Sequence, residues 1–496
     1  QKPSQQVVRN AIEVLNTYES RLGLGRNKKK KSSQDNNKQD DEQSYITLGG
    51  PNDKDANKGD GSDKEEDTLT LEQIIIWSTH ENMRDNDTME TLILTHKQFT
   101  NSLTLLKNLR RRFDVPIPND IRNDENKINE FRLNVQKRIQ LKVVKSLRDW
   151  MKQYWDEDFL NDLDLQKELI AWLAELEQLS STKQTECPWI APLSSMVTKE
   201  YERFKLKSPN QAKKLQQAEY FRLNEHGVPK HLEAVVIKKG YKLSNTTAED
   251  LADQITLMDY KIFSNIAERE CIGQAWKKKK ETSPNVLAMI QQFNNLTVFV
   301  QLQILSEKSL RDRSKAIKRV IKMGERFKEV KNFNSLCAIL GALNSSPIHR
   351  LKHAWQKVPE KQLNQFESFK QIFVNTRNFR NFRTMFRNVS PPAIPYFGLF
   401  LQDLVFIDDG NDQFKQIDNF KQHGFMVNFN KCVRTMDRIK NIRLYQTNSY
   451  KNVCKPQENL QKILYQEFNK MKEFDEDKIW EMSTHVKKAD EQKAGR

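Results

Sequence analysis

The sequence predicts an all-α protein with two helical domains, and three observations carry that expectation. Apolar residues recur at intervals of three and four from Leu69 to about residue 470, the repeat of one helix face. No segment sustains the two-residue alternation of a half-buried strand, apart from short apolar runs such as Leu296 to Val300. Prolines and one long hydrophilic stretch cut the helical faces into blocks.

In chain order, Val7, Val8, Ile12, Leu15 and Leu22 keep approximate helical spacing, so residues 1–25 are expected to hold one isolated amphipathic helix. Across residues 26–66 the apolar residues are Tyr45, Ile46, Leu48 and Ala56 alone. Ordering such a segment costs roughly 1–2 kcal/mol per residue with no apolar burial to offset it, which predicts a disordered charged linker. Residues 67–182 read as a helical bundle. Its faces run through Leu71, Ile74 and Ile75, then Met89, Leu92 and Ile93, then Leu103 to Phe113, with Pro116 and Pro118 as a stop. One long helix is expected over 125–156 through Ile128, Phe131, Val135, Ile139, Val143, Leu147 and Trp150. Another follows through Leu165, Leu169, Trp172 and Leu176. Pro188, Pro192, Pro209 and Pro229 interrupt residues 183–240, a connector with one helix expected near 210–222.

A second helical domain is expected over 241–480. Thr246-Thr-Ala-Glu249 has the form of a capping box ahead of Leu251, Ile255, Met258 and Ile262. Helical faces recur at Val286 to Leu305, Ser309 to Val330, Phe333 to Leu343, Leu363 to Phe386, Phe397 to Phe406 and His423 to Tyr445. Residues 481–496 lose the pattern and read as a fraying tail.

The 496 residues, 37% hydrophobic and 30% charged, suit several soluble domains with hydrophilic chain between them. No run approaches the 18 apolar residues of a membrane span, and QKPSQQVVRN lacks the apolar core of a secretory signal. The first residue is Gln rather than Met, which leaves an upstream segment open. Five cysteines (Cys187, Cys271, Cys337, Cys432, Cys454) form no CxxC pair, the pattern of buried thiols in a reducing compartment, so the cytoplasm is expected. The 82 Lys and Arg against 66 Asp and Glu leave a charge of +16, which nucleic acid, an acidic membrane or an acidic protein would each explain.

The usual signatures of covalent or metal chemistry are missing: no GxxxxGK[ST], HExxH, GxSxG or paired-cysteine zinc site occurs. Asp53-x-Asp55-x-Asn57 begins like a calcium loop, but Lys58 replaces the turn glycine and Lys64 the bidentate Glu, so a solvated linker is the better reading. His349 and His353 share an i, i+4 spacing with no Cys or carboxylate to complete a metal site. Basic clusters at Lys28–Lys31, at Lys277–Lys280 and from Arg311 to Lys322 raise nucleic acid. So do the aromatics and arginines interleaved at Arg377, Phe379, Arg380, Phe382, Arg383, Phe386 and Arg387. At helical spacing Phe379, Phe382 and Phe386 read instead as a core stripe with a basic rim.

The most informative run is PPAIPYFGLFLQDLVFIDDGN, residues 391–411. Three prolines forbid helix until Tyr396, an apolar helix runs through Leu399, Leu401, Leu404 and Val405, and Asp408-Asp409-Gly410 ends it. Two carboxylates at a helix C-terminus oppose the macrodipole by roughly 0.3–1 kcal/mol, a local conflict that suggests a role outside stability.

That run resembles the catalytic domain of Ras-family guanine-nucleotide exchange factors, and three further blocks agree in order. They are NTTAEDLADQITLMDYKIFSNIAERECIGQAW (245–276), Asn294-Asn295-Leu296-Thr297 through Arg313-Ser-Lys-Ala-Ile317, and NFNSLCAILGALNSSPIHRL (332–351). Upstream, LEQIIIW (71–77), METLILTHKQF (89–99), LLKNLRRRF (105–113) and SLRDWMKQYWDEDF (146–159) resemble the Ras exchanger motif domain. The resemblance leaves out residues 1–65 and does not assign the connector.

The resemblance implies a protein that speeds GDP release from a Ras- or Rap-like GTPase, so that GTP can load, without breaking a covalent bond and with no cofactor or metal of its own. A protruding helical hairpin is expected to wedge beside the GTPase's phosphate and magnesium site. By position in the motif, Val405 would crowd the magnesium and Asp409 would compete for groups that held phosphate, with Leu401 and Gln402 completing the catalytic set. Gln291, Asn295, Asn344, Phe379 and Arg383 are the implied GTPase contacts. The exchanger-motif domain is expected to buttress the hairpin. Some family members carry arginine, tyrosine and glutamate where this chain has Gln291, Phe379 and Asp409, differences that bear on partner choice and rate. A GTPase-binding scaffold of the same fold without exchange stays open as the alternative. Nucleic acid drops out as an expected partner, and the basic surface would suit work beside anionic lipid at the inner face of a membrane.

Overall fold

The computed structural model describes residues 68–82, 86–206, 228–237, 245–278, 280–415 and 426–494. The readings for residues 1–25 and 26–66, the calcium-like loop, Lys28–Lys31, Lys279 and the helix near 210–222 lie outside them. The described residues are overwhelmingly helical, and none of their helices is long and apolar enough to cross a membrane. They fall into two compact units, 68–206 with 407–436, and 228–406 with 437–494. Residues 407–436 therefore group with the N-terminal unit, although they lie inside the 241–480 segment.

In the first unit, α1 (Leu71–Ser78) starts at a reciprocal capping box: Thr70 Oγ1 accepts the Gln73 N–H at 3.2 Å, and Gln73 Oε1 accepts the Thr70 N–H at 2.9 Å. Helix α2 (Asp87–Thr95) leads to α3 (Ser102–Phe113), capped by Asn101. The long helix runs from α4 (Glu125–Phe131) through a π turn into α5 (Lys137–Tyr154), ending in a second π turn over Trp155–Phe159. Helix α6 (Leu163–Thr182) is capped by Asp162. Leu105, Leu109, Val143, Leu147, Leu165 and Leu169 meet fully buried at the centre, with Trp150 packed on Phe159 and Phe113 on Trp172. A fully buried His96 bonds the Ile93 carbonyl through Nδ1 at 2.7 Å and Ser102 Oγ through Nε2 at 3.0 Å, so its polar edges are satisfied.

Helix α7 (Ile190–Lys205) forms where prolines argued against helix. Pro192 sits in its first turn, where the missing N–H has no intrahelical partner to lose. The unit also holds a small antiparallel sheet that sequence periodicity does not signal, because its strands are too short to alternate. Strand β3 (Met426–Asn428) lies between β1 (Thr68–Leu69) and β2 (Phe414–Lys415), with Leu69 and Phe414 both opposite Val427.

The second unit is built on α8 (Ala248–Phe263), α9 (Pro284–Leu305), α10 (Leu310–Glu329) and α11 (Phe333–Asn344). The cap of α8 lies one residue later than the sequence suggests: Thr247 accepts from the Asp250 N–H at 3.0 Å. Glu270 seats the N-terminus of α9 by accepting the Asn285 and Val286 N–H groups at 2.7 and 2.9 Å. At the centre a buried Asp259 accepts from Gln292 (3.0 Å), Asn332 (2.9 Å) and Ser335 (2.5 Å), joining α8, α9 and α11.

The helix expected over Leu363 to Phe386 is two helices, α12 (Glu360–Ile372) and α13 (Arg380–Phe386). Between them Arg377, Asn378 and Phe379 all have left-handed backbones, with φ of 49°, 54° and 57°. Phe379 is therefore off the helix face, and the core stripe is Phe382 and Phe386 with Phe373 and Phe333. Next come α14 (Phe397–Asp409), α15 (Phe429–Gln446), α16 (Glu458–Lys470) and α17 (Glu476–Ala494). The expected fraying tail is the regular helix α17. It is held by polar contacts that apolar periodicity does not report: Arg313 binds the buried Asp490, and Ser483 donates to the Pro347 carbonyl at 2.6 Å.

Candidate functional site

Helix α14 begins where the prolines end, and its start is tied down by backbone. Ile394 donates to the Lys331 carbonyl and accepts from the Phe333 N–H, both at 2.9 Å. The Phe397 N–H then donates to Asn334 Oδ1 at 3.3 Å. Phe397, Leu399, Leu401 and Leu404 are buried. The other side carries Gln402 and Val405, half-buried, with Phe406 and Asp409 exposed. Gln402, Val405 and Asp409 follow a three-and-four spacing, which aligns an amide, a branched apolar group and a carboxylate along one face. Leu401 belongs to the buried face.

The two carboxylates at the end of α14 meet local compensation. Lys431 Nζ donates to the Asp408 carbonyl at 3.1 Å and lies 3.5 Å from its carboxylate, with both side chains about nine-tenths buried. An ammonium on a terminal carbonyl is the favourable partner for a helix C-terminus. Asn411 donates to the Ile407 carbonyl at 2.9 Å and accepts from Arg434 at 3.2 Å. Asn428 donates to the Asp412 carbonyl and, through its N–H, to that of Gln413, both at 3.0 Å. Nearby, Trp77 and Phe429 meet edge-on at 6.2 Å and Cys432 is fully buried.

The remaining sequence-selected residues lie in the second unit. On α9 an exposed Gln291 donates to the buried Asn295 at 2.7 Å, so the two act as one amide pair. Asn344 is exposed at the last position of α11, and Gln301 of α9 donates to Ser345 just beyond it at 2.9 Å. Phe379 packs edge-on to Tyr396, with ring centres 6.2 Å apart. Burial and the neighbouring Cys337 push the Tyr396 hydroxyl up to about 12. Arg383 does not project freely: it forms a bidentate pair with Asp403 of α14 at 2.8 and 2.7 Å, and its Nε donates to the Asn378 carbonyl at 2.8 Å. Asp403 also lies 3.7 Å from Arg438 of α15.

Sequence reasoning passed over Asp403, Arg438 and Lys431. A signal existed for the first: Asp403 is the single charge within the apolar run Phe397 to Ile407, and such a charge requires a partner.

The chain is thus two helical units, with α14 turning one polar-apolar face outward while Asn334 and Lys431 hold its two ends. Two family descriptions match its parts, the RasGEF N-terminal motif over residues 67–172 and the RasGEF domain over residues 250–433. The chain is 28% identical to Ras guanine nucleotide exchange factor A of Dictyostelium discoideum over 79% of its own length and 60% of that protein's. Factor J of the same organism is 28% identical over 77% of the chain and 44% of its own length. Ras-specific guanine nucleotide-releasing factor 2 of Mus musculus is 32% identical over 48% of the chain and 19% of its own length. The chain belongs to the family of Ras guanine-nucleotide exchange factors, and it spans three-fifths or less of each of these relatives.

Proposed function

We propose that this protein promotes GDP release from a Ras-subfamily small GTPase by inserting α14 beside the nucleotide's phosphate and magnesium, so that GTP can load. The observation that carries the reading is the outward face of α14, where Val405 and the exposed Asp409 stand on a helix anchored at both ends. An apolar group pressed into a magnesium site offers no ligand, and a carboxylate accepts the hydrogen bonds a departing phosphate leaves behind. Each 1.4 kcal/mol removed from the release barrier is about tenfold in rate. Gln291, Asn295, Asn344 and Phe379 are the side chains proposed to grip the GTPase around this wedge.

The test is release of a fluorescent GDP analogue from a panel of Ras-subfamily GTPases. Wild type is expected to accelerate at least one member. Asp409→Ala and Val405→Asp should each slow it about tenfold or more with helicity unchanged. No acceleration across the whole panel would overturn the reading.

A GTPase-binding scaffold is the second reading, favoured by Gln291 and Phe379, which offer neither the cation nor the phenol found at these positions in some family members. Tight binding to nucleotide-free GTPase without faster release would select it. The +16 charge supports action beside anionic lipid. Sedimentation with phosphatidylserine vesicles but not with neutral ones is the expected result, and equal sedimentation would remove that part.

A further inference from the structure

Arg383 has its donors turned inward, and what they hold is unusual. The guanidinium grips Asp403 on α14 through both terminal nitrogens, at 2.8 and 2.7 Å, with each side chain only 13% exposed. The same group reaches Asn378 through Nε to the carbonyl at 2.8 Å and through a terminal nitrogen to Oδ1 at 3.3 Å. Asn378 is the middle of three consecutive non-glycine residues in left-handed conformation. That backbone region disfavours side chains with a Cβ, Asn least and Phe strongly, so three in a row persist only where neighbours over-determine them. Arg438 of α15 approaches the same carboxylate at 3.7 Å.

We propose that Asp403, Arg383 and Asn378 form a clamp that holds the left-handed turn in register with α14. Phe379, at the end of the turn, is thereby presented at a fixed position relative to the outward face of that helix. Arg383 is a positioning residue in this account and not a GTPase contact, and Asp403 sets the turn from twenty-four residues away along the chain. The functional half of the proposal rests on the exchange reading above; the structural half does not.

The deciding experiment is amide hydrogen exchange on the full chain. The Arg380 N–H donates to the Thr376 carbonyl at 3.3 Å and the Arg383 N–H to the Phe379 carbonyl at 3.0 Å, so both amides report on the turn. Asp403→Asn keeps the side chain's size and removes the bidentate pairing. It should speed exchange at these two amides about tenfold or more while the α8 and α11 amides stay protected. Unchanged protection across 376–383 would overturn the clamp. If Asp403→Asn loosens the whole unit, Arg383→Met, which leaves Asp403 its contact with Arg438, is judged on the same amides.

A second arm separates positioning from bulk stability. Asp403→Asn should slow nucleotide exchange about tenfold, and Asp403→Glu, which restores a carboxylate to Arg383, should recover at least half of that loss. No recovery, with wild type active, would sink the positioning role. Were wild type inactive on every GTPase, the exchange reading would fall and the amide measurement would still decide the clamp.

Discussion

Two buried aspartates in the second unit solve one problem in opposite ways. Asp490, on the C-terminal helix α17, is met by the guanidinium of Arg313 from α10, each side chain 3% exposed. Asp259, on α8, is equally buried but meets only neutral donors: Gln292, Asn332 and Ser335. Burial pushes the Asp259 carboxyl up to about 6, and the three hydrogen bonds only partly offset that rise. The difference is one of purpose. The ion pair fastens a peripheral helix to the scaffold, and removing either charge strands the other. The neutral cluster sits where three core helices meet and orders their polar groups. Its Asn332 also caps α11 by accepting the Ser335 N–H at 3.0 Å, beside the backbone pairing of Lys331 and Phe333 with Ile394. A carboxylate there orders the polar groups beside the backbone that leads into α14 without needing a cation.

The largest expected effect breaks the first arrangement. Arg313→Leu leaves a carboxylate buried without its partner, which costs on the order of 3–5 kcal/mol. Because α17 is terminal in the unit, that cost should surface as lost amide protection over residues 476–494 and a lower urea midpoint. The double variant Arg313→Leu/Asp490→Leu removes both desolvation penalties and should recover most of the loss. A double variant as unstable as the single one would mean that Arg313 matters through packing and its bond to the Glu307 carbonyl, and not through the pair.

This contrast also marks what the sequence made legible. The helices of the second unit announce themselves through apolar repeats: Ile317, Val320, Ile321 and Phe327 on α10 are buried as their spacing requires. Helix α14 was legible because proline and Asp-Asp-Gly-Asn punctuate it chemically. Helix α17 was not, since its anchors are Asp490, Ser483 and the stacking of Arg350 on Trp480 at 4.3 Å, which carry no apolar period. The turn at 377–379 was missed for a related reason. Hydrophobic spacing encodes burial and not the sign of φ, so Phe379, Phe382 and Phe386 looked like one helix face. Spacing alone leaves Arg383 looking available to a partner, because Asp403, which it binds, lies twenty positions further along the chain.

The smaller effect sharpens the second arrangement. Asp259 is an acid whose folded value lies above its ordinary 3.8, at about 6, so the folded protein keeps this proton over a range in which the unfolded chain has released it. Its contribution to stability is therefore largest below about pH 4, declines as pH rises to about 6, and is flat beyond. The decline amounts to about 3 kcal/mol for the shift involved. Asp259→Asn has no proton to lose. Its stability relative to wild type should rise by about 2 kcal/mol between pH 4 and pH 7. Urea unfolding of both proteins at the two pH values makes the comparison, and subtracting wild type from variant cancels titrations elsewhere in the chain. A difference independent of pH would show that Asp259 keeps an ordinary carboxylate's affinity for protons. The three hydrogen bonds from Gln292, Asn332 and Ser335 would then offset the burial of Asp259 in full.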